Sequence, residues 1–275
     1  MVLVAAIAHS VWNFAARKVA GNVGVIWLST WTAGIFLLPF AITVPASMES
    51  VVRVLPFVLG TGIIHSIYFL SLAKSYEKGE ISFVYPVARG TGVALTAVLA
   101  VVIVHEKISW TGGLGVITIT AGILLLGLNS SQADGKLATG LYALCVGSTI
   151  AGYSIVDKLG VEQIHPVLYL CAIFLLSGLL LSPYVLVRHT QVCLDAASRL
   201  KKYILIVGLG SLTSYLIILS CFQIGNVSYI VAVREFGVVI GSALGFVFLK
   251  EELTPRKGLG IVGITLGTMI VKFGG

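Results

Sequence analysis

Apolar residues fill this chain in ten long blocks separated by short polar turns, at 2–18, 24–45, 54–73, 82–104, 109–128, 137–157, 165–187, 203–222, 228–249 and 256–273. None alternates with period two as a half-buried strand would, and most reach the roughly 20 residues a helix needs to cross the hydrocarbon core. In lipid the backbone has to satisfy its own hydrogen bonds, which leaves helices or closed barrels; long runs without alternation select helices. Pro56, Pro166 and Pro255 fall where helices are expected to start, a position at which a missing N–H is no loss. Pro86 falls inside the fourth block, where it removes a backbone hydrogen bond and crowds the preceding turn. The outcome is either a discontinuous helix that bares carbonyls or a tolerated kink. The first block has no basic start and is interrupted by His9, Trp12 and Asn13, so it reads as a helix and not as a signal peptide.

Composition turns this pattern into a class. The 275 residues are 57% hydrophobic and 11% charged, with a mean hydropathy of +1.03. A soluble domain carries about 25% charged residues, so this chain cannot cover a water-facing surface and is expected to be an all-α integral membrane protein. Its net charge of +7 comes from basic residues scattered through short turns, which argues against nucleic acid as a partner. The four cysteines form neither a disulfide framework nor a metal-ligand spacing, and no cofactor or metal is expected. GLGIVG (258–263) matches the glycine fingerprint of dinucleotide sites, but no strand precedes it. The longest polar stretch, RHTQVCLDAASRLKK (188–202), is basic and partly amphipathic and is expected at a membrane surface with anionic headgroups. Apart from Arg89 and Arg234, the basic residues Arg53, Lys107, Lys158 and Lys272 share the side of the termini and the other twelve lie opposite. The positive-inside rule then places the termini outside.

The sequence repeats itself. Shifted by 145 positions, HEKISWTGGLGVITITAG (105–122) falls on KEELTPRKGLGIVGITLG (250–267), so that Glu106 meets Glu251. Arg89 then meets Arg234, and Gly92 meets Gly237. Shared hydrophobicity does not align two arginines and two glutamates. Each half, 1–128 and 137–275, holds five blocks. Five is odd, so the second half enters the bilayer inverted relative to the first, as in many secondary transporters. The expected fold is ten transmembrane helices in two inverted five-helix repeats, one transport domain, with a substrate site near the midplane between halves. Glycines at four-residue spacing (Gly237, Gly241 and Gly245; Gly263 and Gly267) are expected at close helix contacts.

Polar residues inside the blocks are the candidates for chemistry. Arg89 and Arg234 lie about seven residues, or about 10 Å of rise, into their blocks. A guanidinium there costs about 2.5–3.5 kcal/mol on insertion scales. It either clamps an anion with its planar fork of donors or makes a structural ion pair. Glu235 follows Arg234 but points about 100° away on a helix, so it need not be the partner. His9, Trp12 and Asn13 share one helical face, as do His65 and Tyr68. Tyr153 and Ser154, with Asp157 and Lys158 one turn on, and Ser211, Ser214 and Tyr215 are further polar groups, and Tyr85 flanks Pro86. The substrate-binding candidates are therefore Arg89, Arg234, Tyr85, His9, Trp12, Asn13, His65, Tyr68, Tyr153 and Tyr215, with His9, His65 and Glu235 as candidates for proton coupling. Glu106 and Glu251 are expected to cap and charge short turns. No nucleophile or metal constellation suggests an enzyme.

The two half-endings HEKISWTGGLG and KEELTPRKGLG, with AHSVWNFAARK and SYEKGEISFVYPVARGTG, resemble the EamA-like branch of the drug/metabolite transporter superfamily over nearly the whole chain. The resemblance implies export or exchange of small metabolites, often amino acids, by alternating access in a bacterial inner membrane. It implies cytoplasmic termini, against the charge count, and assigns no site residue. The expected partners are a small-molecule substrate and the lipid bilayer, with a homodimer possible. An intramembrane enzyme and a channel or scaffold are the alternatives.

Overall fold

The structure is a computed structural model that describes residues 1–19, 22–78, 81–127, 136–249 and 254–274. The side chains of 17, 72–78, 81–85, 136–139, 244–246 and 248–249 lie outside that description, so Tyr85 and Gly245, like all of Glu251, are not placed. The described residues form twelve helices and no strand. These are α1 (Val2–Lys18), α2 (Val23–Thr43), α3 (Met48–Lys78), α4 (Ile81–Ile103), α5 (Trp110–Gly127), α6 (Lys136–Val161), α7 (Pro166–Arg188), α8 (Thr190–Arg199), α9 (Lys201–Phe222), α10 (Val227–Arg234), α11 (Phe236–Leu249) and α12 (Pro255–Gly274). Among them, six stretches are long and apolar enough to cross a membrane: α2, Met48–Ser71 of α3, Pro86–Ile103 of α4, α7, α9 and α12. Val2–Ala16 and Trp110–Leu126 are shorter apolar helices.

The prolines divide. Pro166 and Pro255 open α7 and α12, as their sequence positions predict. Pro56 does not: α3 begins a full two turns earlier at Met48, with Glu49 in its first turn and a hydroxyl of Ser47 accepting from Ser50 N–H. Pro86 leaves α4 continuous from Ile81 to Ile103. The discontinuity lies instead in the ninth block, where Glu235 separates α10 from α11 although no proline is present.

The chain forms two compact units, 1–66 with 156–224, and 67–155 with 225–275. In the first, α2 packs on α7 and α9, and α1 packs on α9. Small residues set these contacts. A Cβ on Gly208 would stand 3.0 Å from the Ser29 carbonyl oxygen, and the Ser29 hydroxyl donates to the Ile204 carbonyl at 3.1 Å. Trp27 Nε1 donates to the Gly178 carbonyl at 3.1 Å. The polar stretch 188–202 becomes α8, and its apolar face is covered by protein: Ala196 packs with Ala15, Val25, Ile204 and Val207, and a Cβ on Gly24 would meet the Val192 carbonyl oxygen at 2.9 Å. Burial also pushes the Cys193 thiol upward from its ordinary range. The buried face of this stretch thus serves helix packing, while Gln191, Leu194, Asp195 and Arg199 are exposed.

In the second unit α5 and α12 pack backbone to backbone. A Cβ on Gly122 would stand 2.8 Å from the Gly260 carbonyl oxygen, and one on Gly260 would stand 2.8 Å from that of Gly122. One turn-pair away the contact recurs between Gly115 and Gly267, at 3.0 and 2.8 Å. Gly241, by contrast, has no described atom within 4 Å of a Cβ position, so that part of the predicted glycine stripe on α11 is not a close contact.

His105, after the end of α4, has φ 58°, in the left-handed region, and the Glu106 N–H returns to the Ala100 carbonyl at 3.0 Å. This is a left-handed stop after a helix, a position at which glycine is the usual residue. A β-branched residue is strained there, so His105→Val is expected to cost about 1–2 kcal/mol, read as a lower thermal midpoint of the purified protein in detergent.

Candidate functional site

The two arginines that coincide in the repeat lie in the same unit and share one carboxylate. Arg89 Nη1 stands 3.3 Å from Glu235 Oε1, and Arg234 Nε stands 3.9 Å from the same oxygen. All three are buried, at 7, 2 and 1% exposure. Glycine contacts sink Arg89 to this depth. A Cβ on Gly147 of α6 would meet the Ala88 carbonyl at 2.7 Å, and one on Gly90 would meet Leu124 of α5 at 2.9 Å. On the other side, the break after Arg234 turns Glu235 off the helical course (φ −68°, ψ −7°). That turn lets it serve both guanidinium groups, which a continuous helix would not, and it corrects the expectation that Glu235 points away. The contacts are electrostatic and not well-formed hydrogen bonds. Arg234 Nε and Nη2 and both Glu235 oxygens are buried without a hydrogen-bond partner among the described residues.

Glu106 positions this cluster. Its carboxylate accepts from Val227 N–H, from Ser228 N–H at 3.2 Å and from the Ser228 hydroxyl at 2.6 Å, and so caps α10, the short helix whose last residue is Arg234. Capping was expected, but of its own turn; the helix it caps is 121 residues away in sequence. Tyr229 of α10 reinforces the join by accepting from Ser109 N–H at 2.9 Å. Glu106→Ala removes the acceptors of the first turn, including the charge that favours a helix N-terminus. We expect a loss of about 1–2 kcal/mol, with Glu106→Gln intermediate, seen in thermal unfolding.

In the same unit, Tyr68 stacks edge-on against Phe69 and Tyr153, with centroids 5.2 and 6.0 Å apart. His9, Trp12, Asn13, His65 and Tyr215 belong to the first unit. His9 and Trp12 meet edge to face at 4.9 Å, and Asn13 donates to the His9 carbonyl at 2.9 Å. Trp12 packs over Gly210 of α9, as the costly polar stripe predicts it should, and its buried Nε1 has no described hydrogen-bond acceptor.

A second buried cluster centres on Asp157, fully buried in α6. Tyr169 of α7 donates to Oδ1 at 2.9 Å, and Tyr215 of α9 donates to Oδ2. The Tyr169 ring lies over Gly160, one turn along α6, where a Cβ would clash with it at 2.5 Å. Thr61 and His65 of α3 lie beside this carboxyl group. His65 Nδ1 is 3.1 Å from the Thr61 hydroxyl, and its ring is 6.1 Å from that of Tyr215. Sequence reasoning selected His65 and Tyr215 and grouped Asp157 with Tyr153 and Ser154 as a further polar group, without naming it a site residue. The signal available was a carboxylate within a turn of Tyr153 and Ser154. The neighbouring Lys158 is also buried, donating to the Phe222 carbonyl at the end of α9 and pairing with Glu162 at 2.9 Å. It therefore leaves the count of loop charges on which the orientation estimate rested.

Comparison with known proteins decides the family. The family model described as "EamA-like transporter family" matches residues 1–128 and 138–273. The chain belongs to the EamA-like transporter family. This EamA-like protein is accordingly a multi-pass integral membrane protein of a transporter family of the drug/metabolite type. A solved structure described only as "Crystal structure of protein" is similar over 98% of this chain and 95% of its own, with a TM-score of 0.75 and 13% identity, a likeness of fold alone. Comparison with curated protein sequences gives no match.

Proposed function

We propose that this EamA-like chain is a secondary transporter of ten transmembrane helices, built as two inverted five-helix repeats. It moves a small polar metabolite bearing an anionic group by alternating access, as an exporter or exchanger in a bacterial inner membrane. Amino acids, organic acids and phosphate-bearing compounds share that chemistry. The observation that carries the substrate class is the Arg89–Arg234–Glu235 cluster. Arg234 keeps two buried guanidinium donors without a described hydrogen-bond partner, and such donors are expensive in a membrane protein unless an anion completes them. The repeat reading is supported by the reciprocal packing of α5 on α12. Under the 145-residue shift Gly115 corresponds to Gly260 and Gly122 to Gly267, so the contact Gly115–Gly267 maps onto Gly122–Gly260, as a local two-fold requires. Two similar inverted halves can exchange conformations, which carries an opening from one membrane face to the other.

The test is uptake of a radiolabelled mixture of amino acids, succinate and glycerol 3-phosphate into proteoliposomes. The wild type should show saturable uptake, competed by carboxylates and phosphates and not by their neutral amides or esters. Arg234→Ala should weaken the apparent affinity about 10–100-fold, the worth of a hydrogen bond to a charged group. Arg234→Lys should recover part of it, since the charge returns without the fork. Equal competition by neutral analogues removes the anion reading and leaves transport standing. A non-saturating conductance, or no flux, removes transport.

A further inference from the structure

We propose that Asp157, together with His65, is a proton-binding site that links transport to protons, separate from the arginine cluster. The inference rests on the transport reading of this chain. Its own observation is a carboxyl group with no exposure whose described donors are neutral: two phenols, drawn from α7 and α9. Charged buried groups are normally answered by a fixed ion pair. Lys158, the nearest lysine in sequence, is engaged elsewhere, with Glu162 and the Phe222 carbonyl. The groups facing Asp157 are Thr61 and His65 on α3, Tyr169 on α7 and Tyr215 on α9, with Lys158 and Glu162 on α6 itself. Of these, the imidazole is the one that exchanges protons near neutral pH in its ordinary state.

Such a carboxyl–imidazole pair can change its charge by one without any salt bridge being broken. When a proton arrives from one aqueous compartment and binds the pair, the phenol hydroxyls lose a carboxylate acceptor. Tyr169 and Tyr215 lie on different helices, so their release loosens α6 from both α7 and α9. When the proton leaves to the other compartment, the carboxylate draws both phenols back. Proton occupancy thereby biases the packing of three helices at one point, which is what a coupling site has to do.

The experiment separates coupling from transport. Proteoliposomes carrying the radiolabelled amino acid, succinate and glycerol 3-phosphate mixture are assayed for exchange, with the same mixture on both sides and no pH gradient. They are then assayed for net accumulation under an imposed gradient. Wild-type protein should do both, and a protonophore should abolish the accumulation. Asp157→Asn should keep exchange within about twofold of wild type and lose gradient-driven accumulation, and Asp157→Glu should restore it in part. Tyr215→Phe removes one donor to the anionic form and should move the pH midpoint of accumulation to higher pH, a displacement that a purely structural tyrosine would not give. Infrared difference spectra of folded wild-type and Asp157→Asn protein should show one carboxyl group that titrates only in the wild type. Accumulation by Asp157→Asn at the wild-type level, wild-type exchange without any gradient-driven accumulation, or the absence of a titrating carboxyl band overturns the proposal. Absence of wild-type exchange overturns the transport reading itself and this inference with it.

Discussion

Gly122→Leu is expected to abolish recovery of folded, monodisperse protein. At this position a Cβ alone would stand 2.8 Å from the Gly260 carbonyl oxygen and 2.9 Å from the Ile264 nitrogen, and both are backbone atoms of α12 that cannot rotate aside. The helices would have to separate along their length, which also opens the Gly115–Gly267 contact. In lipid no hydrophobic drive pulls them back, because acyl chains solvate the freed surface as well as leucine does. Overpacking of a closed core costs about 1–3 kcal/mol and more where neighbours cannot move, so a loss of about 3 kcal/mol or more is expected. Gly122→Ala should be intermediate. Gly258→Leu, on the same α12, is the control: no described atom lies within 4 Å of its Cβ position, and leucine is the better helix former. Its thermal midpoint should match or exceed that of the wild type. Gly122→Ala combined with Gly260→Ala should cost less than the two singly, since one separation relieves both clashes. Size-exclusion chromatography and thermal unfolding in detergent read all five variants, Gly260→Ala included. A Gly122→Leu protein as stable as Gly258→Leu would refute the close packing of α5 on α12.

What the sequence revealed divides by how local the physics is. Apolar length is local, so α2, α7, α9 and α12 coincide with predicted blocks to within a few residues. The pairing of Arg89 with Arg234 was visible as a repeat, because two charges in apolar surroundings stand out under a fixed shift. Their common partner was not. Pro86 is a strong local signal for a broken helix, yet α4 absorbs it, and the break falls at Glu235, where the gain is placing one carboxylate between two guanidinium groups across α4 and α10. That gain exists only after folding. Asp157 was visible as a polar group but not as a centre, for the same reason: its donors lie 12 residues away at Tyr169 and 58 away at Tyr215, and no spacing rule joins them. The apolar face of α8 was legible as amphipathic, but the sequence does not say whether lipid or protein covers it. The covering residues, Ala15, Val25, Ile204 and Val207, come from three other helices.

Glu235→Ala is expected to destabilise the protein by about 3–5 kcal/mol, the cost of removing one partner from a buried ionic group. Glu235 is 1% exposed, and its loss leaves Arg89 and Arg234, 7 and 2% exposed, with repelling charges and no carboxylate between them. The size of the effect comes from removing one charge of a buried ionic group and not from the energy of the contacts themselves, since at 3.3 and 3.9 Å neither is a strong hydrogen bond. A compensating change tests that distinction. Arg89→Leu with Glu235→Leu removes the closer cation along with the anion and fills the space with apolar atoms; such replacements are often neutral or better. The double variant should therefore recover most of the stability that Glu235→Ala loses, and do so with Arg234 still charged. Arg234 would then stand without its carboxylate, and an anion offered during thermal unfolding should raise the midpoint of the double variant more than that of the wild type, by mass action on a site with one competitor fewer. Unchanged stability of Glu235→Ala would mean that water reaches and screens the two arginines. A double variant no more stable than Glu235→Ala would mean that the carboxylate contributes through packing at the α10–α11 break and not through its charge.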